Sequence, residues 1–156
     1  MARVTRLLTL VDIDDADDDG PNARRMSVTA RQAAVLEDGR RVVLLDDRGW
    51  SGQLGAAWTD DAPPPQGWQE ALPSIWAFET VEGLERTARD VVRPDEPITG
   101  STHAEMEASH WETLAGILRE QGVEVEAVEL SELPHDVELS TRLRARVSRA
   151  SATPLR

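Results

Sequence analysis

The chain predicts an α+β fold, with a mostly antiparallel N-terminal sheet covered on one face by two to three C-terminal helices. Apolar runs fill the first half, Asp-Gly turn chemistry joins two of them, and from Thr80 the apolar residues recur at helical spacing. Strands first and helices second lead to segregated layers rather than alternating βα units. With 156 residues and 40% hydrophobic content the chain can bury one core, so residues 1–150 are read as one α+β domain. The polar ending SATPLR, 151–156, is expected to fray.

Val4 to Ile13 contains the apolar run LLTLVDI and is expected to be a strand. It gives way to DDADDDGPN, too acidic to bury itself and therefore a solvated loop. Met26 to Leu36 has a weaker apolar pattern, also read as a strand. Glu37-Asp38-Gly39-Arg40 then offers the positive φ of a tight hairpin before RVVLLD. Asp46-Asp47-Arg48-Gly49 reads as a second turn, DDAPPPQG as an extended break, and Ser74 to Phe78 as one more strand.

In the second half Val81, Leu84, Ala88, Val91 and Val92 share one helical face, opposite the i,i+4 pairs Glu82/Arg86 and Glu85/Arg89, and Pro94 stops the helix. Thr102 and Glu105 have the spacing of a capping box, and Gly122 suits a left-handed cap, so a helix is expected between them. Val123 to Leu133 fits a short strand or a helical turn equally well. Leu139, Leu143 and Val147 mark a last helix, with Asp136 as its N-cap.

Composition excludes more than it assigns. No cysteine means no disulfide, no thiol chemistry and no thiolate zinc site. No window approaches the roughly 18 apolar residues of a membrane span, and aspartates interrupt the N-terminus before a secretory core could form, so a cytoplasmic location is expected. All seventeen basic residues are arginine, which reads as the codon bias of a GC-rich bacterial genome. Only their placement bears on function. A net charge of −12 disfavours nucleic acid and anionic membranes and favours a basic protein partner. The arginines at 142, 146 and 149 lie at a helix C-terminus, where the macrodipole favours cations without any ligand.

Three constellations are candidate sites. Asp15-Ala-Asp17-Asp-Asp19-Gly20 begins like a calcium loop, but Met26 stands where a bidentate glutamate is required, so no structural calcium site is expected. The stretch Asp46 to Trp68 combines turn residues, aspartates and tryptophans. Rigid rings in loops contribute contact area at little entropic cost, so Asp46, Asp47, Trp50, Asp60, Asp61 and Trp68 form the expected partner-binding surface, whereas Trp58 and Trp76 are expected in the core. His103, Glu107 and His110 project from one side of a helix, Glu107 and His110 at the i,i+3 spacing of carboxylate-bridged metal sites. With His135 they are the alternative enzyme or metal cluster, although the second such pair that a di-metal site requires is missing.

No nucleophile elbow, phosphate-binding glycine loop or metalloprotease helix occurs. The expected function is therefore non-catalytic and cofactor-free: a small acidic protein-binding module, of immunity or inhibitor type, acting on a basic partner. A non-catalytic accessory subunit of a larger assembly is a further alternative.

Overall fold

A computed structural model of the chain describes residues 2–14, 23, 25–53, 74–94, 96–97 and 100–152. The expected acidic calcium-like loop, the prolines of DDAPPPQG, and Trp58, Asp60, Asp61 and Trp68 lie outside the described residues.

Strands β1 (Val4–Ile13), β2 (Arg25–Leu36) and β3 (Arg41–Gln53) form an antiparallel meander. The predicted turn closes the β2–β3 hairpin: Gly39 takes φ +90° and its N–H donates to the Leu36 carbonyl at 2.9 Å. The second predicted turn, Asp46 to Gly49, is instead part of β3. Turn-like residues are accommodated there because the β2–β3 register slips on both sides of the Gln32–Leu45 pair. Such bulges insert unpaired residues into a strand without ending it. Gly49 has its own reason to be glycine, since a Cβ there would sit 2.4 Å from the Val28 carbonyl oxygen.

Ser74 to Phe78 is not a strand. Its main chain closes on itself instead of pairing with a strand: Ala77 N–H donates to the Ser74 carbonyl at 2.9 Å and Glu79 N–H to the Trp76 carbonyl at 3.1 Å, and the turn packs Ile75 and Trp76 inward. The segment Ile75–Phe78 is a 3-10 turn whose start is capped by the Ser74 hydroxyl accepting from Trp76 N–H at 3.2 Å.

Helix α1 (Val81–Val91) begins at Thr80, whose hydroxyl accepts from Gly83 N–H, and α2 (His103–Glu120) begins as expected at Thr102, which accepts from Glu105 N–H. The end of α2 follows its sequence signal too. Gly122 adopts φ +81°, and Val123 N–H reaches back to the Leu118 carbonyl at 2.9 Å, the long bond of a Schellman cap. The ambiguous segment resolves as one helical turn, α3 (Ala127–Ser131).

One strand escapes the sequence pattern. β4 (His135–Leu139) runs parallel to β1 and completes the order β3-β2-β1-β4. Asp136 is therefore not a helix cap: it lies in β4 and pairs with Arg6 on β1 at 3.0 Å. The cap of the last helix, α4 (Thr141–Ala152), is Ser140, whose hydroxyl accepts from Leu143 N–H. That junction is clamped by Arg142, which bonds both Asp12 oxygens, at 2.7 and 3.0 Å, and the Ile13 carbonyl. Arg146 lies over the Trp76 ring at 5.7 Å, so two of the three arginines in the predicted stripe have partners within the fold.

The helices cover the sheet face carried by Leu7, Val11, Ile13, Val28, Ala34 and Leu36. Their burial divides into two clusters. One joins Val11, Ile13 and Val28 to Trp76, Leu84, Leu139 and Leu143; the other joins Leu7, Ala34 and Leu36 to Leu114, Leu118 and Leu130. No helix among the described residues is long and apolar enough to cross a membrane.

Candidate functional site

Between the two clusters the covered face turns polar. Gln32 and Thr9 stand directly opposite each other on β2 and β1, in the same alternation phase as their apolar neighbours, and are 1% and 0% exposed. On the far side of β1, His135 Nε2 and the Thr9 hydroxyl are 2.6 Å apart. A row of three hydrogen-bonding side chains thus crosses the sheet where a continuous core would place aliphatic ones.

Above this row the helices part and leave a cleft of about 730 Å³, within the range of small-molecule sites. Gln32 and His135 form its floor. Arg89, Asp90, Val92, Arg93 and Pro94, from the end of α1 onward, form one wall. His103, Glu107 and Trp111 form the other, each one helical turn after the last along one side of α2. Residues of α2 are buried only from Leu114 on, so the first half of that helix overhangs the cleft rather than packing on the sheet.

The partners of these groups decide what the cleft can do. Thr9 is satisfied by His135, but the buried Gln32 Oε1 has no hydrogen-bond partner among the described residues. A buried acceptor left unpaired costs about 1–3 kcal/mol. Asp90 and Arg93 form a loose pair at 3.9 Å. Arg89 and Glu107, on opposite walls, enter no ion pair among the described residues. Burial first, and then the Arg89 charge, push the His135 imidazole below its ordinary pKa against the opposing influence of Asp136, so the ring on the cleft floor is neutral at neutral pH. Thr9 does not line the cleft, which makes the Thr9–His135 bond a support for the floor.

The predicted site residues are placed unevenly. Of the histidine cluster, His103, Glu107 and His135 meet at the cleft, but His110 does not line it; its ring packs edge-on against Trp111 at a centroid distance of 5.0 Å. The i,i+3 spacing that joined His110 to Glu107 carries the histidine round the helix, away from the residues spaced by four. Among the described residues no group of three or more His, Asp or Glu is arranged to hold a metal ion. Of the tryptophan surface, Asp46 and Asp47 are exposed on β3, and Asp47 lies 3.7 Å from Arg48. Trp50 is half-buried against the Trp76 cluster, opposite Val28, rather than on a loop. Trp76 is fully buried, as expected of a core ring.

Gln32, Thr9, Arg89 and Trp111 were not predicted as site residues. The first two had a signal: Val28, Ala30, Gln32, Ala34, Leu36 and Leu7, Thr9, Val11, Ile13 are apolar at every second position except one. Comparison with known protein families, with curated proteins and with solved structures finds no match to this chain.

Proposed function

We propose that this protein binds a small polar molecule in the cleft between the sheet and helices α1 and α2. The observation that carries the reading is the buried Gln32 amide oxygen, unpartnered on the cleft floor and held in a strand pair flanked by register slips. Bulges are over-represented beside functional sites, where they re-aim a side chain, and a native fold retains a buried unpaired acceptor only for a reason. A ligand N–H or O–H donor supplies that reason. Trp111 and Val92 offer apolar contact above it, and the charged walls offer orientation.

Screening a library of small polar fragments by NMR tests the proposal, with the Trp111 indole and Gln32 side-chain amide signals as reporters. Hits that move both signals in the wild-type protein and lose affinity in a folded Gln32→Leu variant support it. A library without such hits, or hits indifferent to the substitution, would overturn it.

A second reading rests on Asp46 and Asp47, exposed on β3 in a chain of net charge −12: an acidic surface for a basic protein. Its test is association with a captured basic partner, which neutralising both aspartates should slow and make less salt-sensitive. Unchanged association kinetics would remove it.

A further inference from the structure

We infer that the cleft selects a small zwitterion, an α-amino acid or a short peptide-like molecule carrying both an ammonium and a carboxylate. The inference rests on the cleft being a ligand site and specifies what that ligand is.

Charge in the cleft is divided between the walls. Arg89 and Arg93 stand on the α1 side, where Asp90 offsets Arg93, while Glu107 stands on the α2 side and Glu96 on the segment between the helices. Arg89 and Glu107 have no ionic partners of their own among the described residues. An anion drawn to Arg89 would meet Glu107 and Glu96 and would approach against the field of a chain of net charge −12. A cation drawn to Glu107 would face the Arg89 guanidinium, which no carboxylate among the described residues pairs. A dipolar molecule meets neither penalty, because its net charge is zero and its ends complement opposite walls.

The floor sorts the two ends further. Gln32 Oε1 is an acceptor, and an ammonium carries three donors, enough to satisfy both that oxygen and Glu107. A guanidinium matches a carboxylate with two parallel N–H groups, so Arg89 suits the other end. His135, neutral on the floor, does not repel the ammonium. Trp111 supplies the apolar surface against which an aliphatic or aromatic substituent would lie.

The experiment titrates the protein with L-leucine, isocaproate and isoamylamine, which share the branched five-carbon chain and differ in bearing both charges or only one. The other standard L-amino acids follow, each with its deaminated acid and decarboxylated amine, while the Trp111 indole and Gln32 amide signals are monitored. At least one amino acid should bind about tenfold tighter than either truncated form, a difference of about 1.4 kcal/mol. Arg89→Ala should abolish the advantage over the amine, and Glu107→Gln the advantage over the acid. Both side chains are exposed, so both variants should keep the wild-type fold. Truncated acids or amines binding as tightly as their parents, or an advantage surviving both substitutions, would refute zwitterion selection. If non-zwitterionic fragments still bind in a Gln32-dependent way, the ligand site stands and only its specificity falls. If no compound moves the cleft signals, both fall together.

Discussion

The two ends of the covered sheet face and its middle are built from the same strands, yet they obey different rules. At the ends, inward positions are aliphatic and meet helix side chains, forming the Trp76 and Leu118 clusters. In the middle, Gln32, Thr9 and His135 occupy the same inward phase and the helices stand apart. A sheet that only needed stability would carry one uninterrupted core. The difference teaches that the polar row is a local departure from packing, maintained by stable flanks, as expected of a functional site that stores destabilisation.

The largest test of this comparison concerns the flanks. Leu143→Ala empties part of one cluster and Leu118→Ala part of the other, both from fully buried positions. Each should cost about 2–5 kcal/mol in denaturant unfolding. If the polar middle separates two packing units, the double variant should equal the sum within about 0.5 kcal/mol. Strong non-additivity would mean one continuous core.

Gly49→Ala probes the irregular strand that faces the middle of the sheet. Its Cβ would sit 2.4 Å from the Val28 carbonyl oxygen, a backbone atom that cannot swing aside. A loss of about 1–3 kcal/mol is expected from such overpacking, read as a lower melting temperature. A neutral result would show that β3 can shift freely past β2.

Gln32→Leu should move stability the other way. Replacing a side chain whose buried amide oxygen is unpaired with an aliphatic one of similar size removes that oxygen's desolvation penalty, for a gain of about 1 kcal/mol, while fragment binding is lost. Destabilisation instead would mean that the amide contributes to the fold and that the polar row is structural.

The smallest effects are those of pH. His135 has a depressed pKa when folded, so the unfolded chain takes up its proton first, and the His135 contribution should be intact above about pH 6.5 and decline as pH falls below it. Asp12 is held below the ordinary aspartate pKa of 3.8, chiefly by the Arg142 side-chain hydrogen bond, with Ser140 assisting against burial. Its contribution is present above that value and is lost as pH falls through the lower folded pKa. Denaturant midpoints across pH for His135→Asn and Asp12→Asn should each flatten one window; if both stay parallel to wild type, neither group is coupled to folding.

Much of this architecture was legible in the sequence because its signals are local. Thr102, Gly122 and Gly39 act through bonds within a few residues, and each did what its type predicts. β4 was not legible. Its five residues are stabilised by pairing with β1, more than a hundred positions away, and Leu139 also satisfies the helical spacing of Leu143 and Val147. The bulged region of β3 was misread because Asp and Gly mark turns only when no neighbouring strand claims them. At the cleft, sequence grouped His103 and Glu107 by their α2 spacing and joined His135 to them, but only the tertiary fold could add Arg89. Gln32 was within reach, since a polar residue in the apolar phase of a strand was visible without coordinates.

The parallel pairing of β1 with β4 also bears on how the chain reaches this state. As the protein emerges from the ribosome, the three-stranded meander is complete by Gln53, but the outer edge of β1 waits for His135 to Leu139. Until those residues are made, that edge, Leu7 to Val11, lacks its native neighbour, and an apolar strand with free main-chain groups can pair with another copy. Closing a loop of this length makes the step slow relative to hairpin formation. Arrival of β4 therefore both completes the sheet and retires an apolar edge of the nascent chain.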